Sequence, residues 1–124
     1  METNQIDVKT LEILWHNKEP VLSIDFHPSM QKMATCGGDK TVKLWKLDSN
    51  KKDEPVEFLS SLFRHTMPVN IVRFSPCGKY LASGGDDGEV YVWQMDDKKE
   101  MAFGEDNEEG QYNKEWWTVF KRFK

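Results

Sequence analysis

Apolar and polar positions alternate along this chain in short runs, each ended by a turn-forming cluster. Val21, Ile24 and Phe26 supply the apolar positions of a first run, which His27-Pro28-Ser29 breaks. Met33-Ala34-Thr35-Cys36 is a second, turned by Gly37-Gly38-Asp39-Lys40. Thr41-Val42-Lys43-Leu44-Trp45 is a third, with Val42 and Leu44 on one face. Short runs with a period of two predict β-strands. The same three runs recur at 69–74, 80–84 and 89–93, separated by Ser75-Pro76-Cys77-Gly78 and Gly85-Asp86-Asp87-Gly88. Gly and Asp at such turns supply backbone with positive φ, which other residues adopt at a cost. A fourth strand is expected after each copy: 57–63 behind a polar loop, and 116–120 behind a polar, acidic loop at 96–114. Leu11-Glu12-Ile13-Leu14-Trp15 is a ninth candidate strand with no sheet of its own. No stretch carries a convincing helical period, so the expected fold class is all-β.

The two copies are one unit written twice. Val21 and Val69, Pro28 and Pro76, Asp39 and Asp87, and Trp45 and Trp93 all stand 48 residues apart. A repeat without drift means one supersecondary unit used twice, each copy needing a neighbour to bury its faces.

Within each copy, four residue types fall at network spacing. Asp39 lies six residues before Trp45 and four after Thr35; Asp87 lies six before Trp93 and four after Ser83. A carboxylate in a tight turn accepts from backbone N–H groups, an imidazole and a hydroxyl. His65 is the candidate imidazole of the second copy. The expected chain runs from Trp93 through Ser83 and His65 to Asp87, fixing three strands at once. In the first copy His16 stands one residue further out. Either the connection absorbs an extra residue, or that network lacks its His.

Asp, His and Ser together also suggest a hydrolase triad. The arrangement occurs twice, however, and Ser83 lies inside an apolar strand rather than on a strained, exposed turn beside an oxyanion hole. His16, His27 and His65 lack zinc-site spacing. Gly84-Gly85-Asp86-Asp87-Gly88 lacks both the following helix and the Lys-Ser/Thr ending of a phosphate loop. No catalytic, cofactor-binding or metal-binding residue is assigned, and no enzyme is expected.

Composition narrows this further. Of 124 residues, 31% are charged and 38% hydrophobic, as in a globular domain. A net charge of −4 argues against a nucleic-acid surface and weakly suits a basic partner. No apolar run approaches the ~20 residues that span a bilayer, and the start is neither a secretory signal nor a transit peptide. Cys36, in a strand, and Cys77, in a turn, suggest plain thiols in a reducing compartment. Asp86 reads as a solvated neighbour of Asp87, and the acidic loop as a solvated connector. Adjacent Trp116 and Trp117 must point to opposite sides of a strand. The closing Lys121-Arg122-Phe123-Lys124 reads as a frayed end.

Leu81-Ala82-Ser83-Gly84-Gly85-Asp86-Asp87 followed by Val90-Tyr91-Val92-Trp93 closely resembles the WD-repeat pattern. That resemblance implies a β-propeller, with four-stranded blades around a central channel. It divides the chain into a closing strand at 10–15, a first blade at 21–63 and a second at 69–121. Trp15-His16-Asn17-Lys18-Glu19-Pro20-Val21 and Asn113-Lys114-Glu115-Trp116-Trp117-Thr118-Val119 resemble the family of the middle, WD-repeat subunit of chromatin assembly factor one. The nearest rival is the histone-regulator WD-repeat chaperone of replication-independent assembly. A generic WD-repeat scaffold of ubiquitin ligation or signalling is a third reading. The first resemblance implies a nuclear docking platform in replication- or repair-coupled nucleosome assembly. Its implied partners are core histones three and four and the other complex subunits, without cofactor, membrane or direct nucleic-acid contact. Two blades cannot close a ring, since propellers typically use about 4–8. The chain is therefore expected to be a fragment of a longer propeller, with a genuine short form or a self-assembling half-propeller as alternatives.

Overall fold

The structure, a computed structural model, describes residues 16–48, 50, 55–96 and 113–124. Eight strands follow in order: β1 (Val21–Phe26), β2 (Lys32–Gly37), β3 (Thr41–Leu47), β4 (Val56–Phe63), β5 (Val69–Phe74), β6 (Tyr80–Gly85), β7 (Val90–Met95) and β8 (Trp117–Phe123). They form two antiparallel meanders, β1-β2-β3-β4 and β5-β6-β7-β8. No helix occurs among the described residues.

The repeat extends to the irregularities. The ladder slips between Val21 and Ser23 in the first sheet, and between Val69 and Ile71 in the second. It slips again between Leu44 and Trp45, and between Val92 and Trp93. A bulge opposes two residues to one and resets which side chains share a face. This is why Val21 and Ile24 are three apart in sequence although neighbouring apolar positions on a strand are normally two apart.

The core lies between the sheets. Ala34, Cys36, Val42 and Leu44 of the first pack with Val69, Val72, Leu81, Tyr91, Trp93 and Trp117 of the second. Burying these side chains removes about 1.5–3 kcal/mol worth of apolar exposure for each large one. The opposite face of the second sheet stays open, with Val90, Phe120 and Phe123 exposed.

Polar contacts pin the inner strands across this joint. Phe74 N–H donates to Asp25 Oδ2 at 2.8 Å, and Val72 N–H to Ser23 Oγ at 3.3 Å. The Arg73 guanidinium reaches Ser23 Oγ at 3.0 Å. His27 Nε2 lies 3.0 Å from the Gly78 carbonyl oxygen, while its Nδ1 accepts from Ser29 N–H at 3.0 Å. The ring is therefore read as the tautomer with its proton on Nε2. Gly78 has φ +77 and faces this ring so closely that a Cβ would collide with it.

One expectation changes. The carboxyl end is not frayed: Lys121, Arg122 and Phe123 pair with Val92, Tyr91 and Val90, and Arg122 makes an ion pair with Glu89. At the bulge beside Val92, Phe120 is the extra residue of β8, between Val119 opposite Trp93 and Lys121 opposite Val92. The loop at 96–114 ends in an ordered strap: Lys114 N–H and Glu115 N–H both donate to Leu59 O, at 2.6 and 3.2 Å. The candidate closing strand at 10–15 and residues 97–112 lie outside the described residues.

Candidate functional site

Two buried polar chains, one per sheet, are the most concentrated chemistry in the molecule. In the second sheet Trp93 Nε1–H donates to Ser83 Oγ at 2.9 Å. Ser83 Oγ lies 2.8 Å from His65 Nε2, and His65 Nδ1 lies 3.1 Å from Asp87 Oδ2. The directions follow from the donors available. Trp93 can only donate, Asp87 only accepts when ionised, and Ser83 has one proton to give. Ser83 O–H therefore donates to His65 Nε2, and His65 Nδ1–H donates to Asp87. Asp87 also accepts from Thr66 N–H at 3.1 Å and Glu89 N–H at 3.0 Å.

In the first sheet Trp45 Nε1–H donates to Thr35 Oγ1 at 2.8 Å. Thr35 Oγ1 lies 2.9 Å from His16 Nε2, and His16 Nδ1 lies 2.7 Å from Asp39 Oδ1. Thr41 O–H adds a 2.9 Å bond to Asp39. The extra residue between His16 and β1 is absorbed in a turn. Asn17 and Lys18 both take positive φ, and Glu19 N–H closes onto His16 O at 2.7 Å. The structure thus brings together Thr35, Asp39 and Trp45 with His16, and His65, Ser83, Asp87 and Trp93 with one another.

The electrostatics suit closed structural chains. Burial works to raise both Asp carboxyls, but their hydrogen bonds prevail. His16 and Thr41 hold Asp39 below the ordinary carboxylate range. The Glu89 and Thr66 amides and His65 do the same for Asp87. His16, Thr35, His65 and Ser83 are all buried, and each serine or threonine hydroxyl has its proton committed to an imidazole. Neither hydroxyl stands in an open cleft where a substrate carbonyl could approach. Burial pushes the Cys36 thiol up to about 12, whereas exposed Cys77 is lowered by the Ser75 hydroxyl. Trp117 sits in the core, and Trp116 borders a cleft between the two sheets' outer strands. Asp86 is exposed and receives a hydrogen bond from Asn70.

Sequence reasoning did not anticipate the pins Ser23, Asp25 and His27, nor the strap from Asn113 to Glu115. The pins had one available signal: at these positions the repeat breaks its own pattern, with Ile71, Arg73 and Ser75 in the second copy.

These features accompany a clear kinship. The B-type subunit of chromatin assembly factor 1 from Mus musculus is 50% identical over 122 residues, which is 92% of this chain and 21% of that protein. The Gallus gallus protein of the same name is 48% identical over 122 residues, with the same shares of 92% and 21%. The Schizosaccharomyces pombe one is 39% identical over 60 residues, 44% of this chain and 12% of that protein. The chain thus spans about a fifth of the length of these animal relatives. Among solved structures, Saccharomyces cerevisiae Sqt1 superimposes with a TM-score of 0.60 at 22% identity, over 85% of this chain and 23% of that one. At that identity the likeness speaks for the fold alone. A family model, the CAF1B/HIR1 beta-propeller domain, matches residues 6–124. With two four-stranded antiparallel blades and this match over nearly its whole length, the chain belongs to the CAF1B/HIR1 β-propeller family.

Proposed function

We propose that this chain is part of a protein-interaction platform in a nuclear histone chaperone complex. The complex acts in nucleosome assembly coupled to DNA replication or repair. The observation that carries the reading is the 50% identity to the mouse chromatin assembly factor 1 protein, sustained over 122 residues. The geometry supports a platform: the side-chain chemistry is spent on fixing strands, leaving turns and strand edges as contact surface. Catalysis plays no part in the proposal. The partners are histones three and four and the companion subunits. Residues 21–63 and 69–121 act as the two blades, and the networks ending at Asp39 and Asp87 hold them rigid.

The test is a chimera in which this chain replaces the matching segment of the mouse protein. The chimera is expected to co-purify with the large subunit of chromatin assembly factor one and with core histones. A folded, monodisperse chimera that retains neither overturns the reading. The family also includes the histone-regulator chaperones; retention of histones without the large subunit would favour that branch.

A further inference from the structure

Between the outer strands of the two blades runs a cleft of about 290 Å³, and three independent features converge on it. Its wall is aromatic, formed by Trp93, Trp116 and Trp117. Its lining includes Ser60, whose Oγ is buried without a hydrogen-bond partner among the described residues. Ser60 lies opposite Leu44 in the ladder, so it is on the face turned towards the second blade. At the mouth stands exposed Arg64, for whose guanidinium no hydrogen bond or ion pair occurs among the described residues. A desolvated hydroxyl without a partner and a cation without a counter-ion are each incomplete in the same place.

The chain itself demonstrates what this rim accepts. β4 and β8 are edge strands of their sheets. At the β4 edge, the strap docks as a bend at Lys114 and Glu115. Asn113 Oδ1 accepts from Ser61 N–H at 3.0 Å, and the amides of Lys114 and Glu115 donate to Leu59 O. The strap covers the edge only as far as Ser61. The cleft continues past it to Phe63 and Arg64, where β4 ends.

We propose that this cleft is a docking site for a short peptide segment from a partner protein. The peptide lays an apolar or aromatic side chain against the tryptophan wall and sets a carboxylate on Arg64. The assignment rests on the platform reading and names the chemistry of one contact within it. Guanidinium and carboxylate pair bidentately, which gives position as well as attraction. Aromatic anchors in a groove flanked by a charged rim are the usual centre of such contacts. Stacked nucleotides fit less well. One arginine gives little phosphate attraction, and the chain carries a net charge of −4.

The test follows the indole N–H signals of the full chain by NMR while adding acetyl-GSFDG-amide, acetyl-GSFNG-amide or a ten-residue oligothymidylate. The acidic peptide is expected to move the Trp93, Trp116 and Trp117 signals and to bind about tenfold tighter than its amide twin. Arg64→Gln, at an exposed position that leaves the fold intact, is expected to abolish that difference. Ser60→Ala is expected to weaken both peptides alike. Equal binding of the two peptides, no indole shift with either up to about 5 mM, or shifts with the oligonucleotide alone would each overturn the proposal. A chimera that retains histones while this chain fails the titration sinks only the cleft. A chain that passes the titration while its chimera retains nothing sinks the platform reading instead.

Discussion

Ser83→Ala isolates what the second polar chain contributes. The hydroxyl is the middle link: it accepts from Trp93 Nε1–H at 2.9 Å and meets His65 Nε2 at 2.8 Å. Removing it orphans a donor and an acceptor, both buried. The imidazole cannot compensate by moving its proton to Nε2, because Asp87 needs that proton on Nδ1. Each orphaned buried group costs about 1–3 kcal/mol, so the expected loss for the two is about 2–6 kcal/mol. The repeat supplies its own control. The first copy carries Thr35 at this position with bonds of 2.8 and 2.9 Å, so Ser83→Thr keeps both contacts and is expected to cost under about 1 kcal/mol. Urea unfolding followed by tryptophan fluorescence reads the difference, as a lower midpoint at unchanged slope for the alanine variant alone. In a cycle with Trp93→Phe, the double variant should lose about 1 kcal/mol less than the two single losses added, since the orphaned donor is gone. An alanine variant within about 0.5 kcal/mol of the parent, or a threonine variant as weak as the alanine one, would refute the reasoning.

Three further outcomes are expected. Asp39 and Asp87 both titrate below their ordinary 3.8, so the unfolded chain binds more protons than the folded one in acid. Their stabilisation is complete above the unfolded value and is lost as pH falls through the folded values; Asp39→Asn and Asp87→Asn should flatten the acid limb of a stability–pH curve, and an unchanged limb contradicts the shifts. Iodoacetamide on the folded chain should label Cys77 and leave buried Cys36 unmodified until denaturant is added; equal labelling of both by mass spectrometry would show the first sheet to be open. Asp25→Ala removes the carboxylate that receives Phe74 N–H at 2.8 Å across the joint, costing about 1–2 kcal/mol in urea unfolding; a neutral result would mean that the apolar core alone sets the joint.

Most of the fold is legible in the sequence because its determinants are local and written twice. Alternation around Val42 and Leu44, and around Leu81 and Ser83, marks strands. Gly78 and Gly88 take the positive φ that their turns require. The second network, and Thr35, Asp39 and Trp45 of the first, can be named from spacing, because side chains that meet across neighbouring short strands recur at fixed separations. His16 stays open on that basis, since spacing cannot reveal that two left-handed residues take up an extra position. The ladder slips are hidden for a related reason. A bulge changes which residues share a face without changing composition, so Lys121 and Arg122 look like a tail although β7 pairs with them. The strap and the cleft depend on Asn113 meeting Ser61, residues 52 apart in the chain. Nothing local announces such a contact.

Where the repeat holds and where it fails divides the molecule into two kinds of residue. The offset of 48 relates residues that build a blade: Ala34 and Ala82, Asp39 and Asp87, Val42 and Val90, Trp45 and Trp93. It fails at residues that choose a blade's neighbour. Ser23, Asp25 and His27 pin the first blade onto the second, and their counterparts are Ile71, Arg73 and Ser75. Asp25 accepts from Phe74 N–H, whereas Arg73 has no acceptor to offer and instead turns back to Ser23. A blade docking on the open face of the second sheet therefore cannot be held by a copy of the first joint. The two faces would receive different neighbours even though the sheets behind them are built alike. Identical joints would let blades pack in any order, while a shared interior with private joints fixes the sequence of blades. The same division explains why the strongest repeat signals describe the blade and not its joints: they lie inside the sheets, and the pins lie in residues that depart from them.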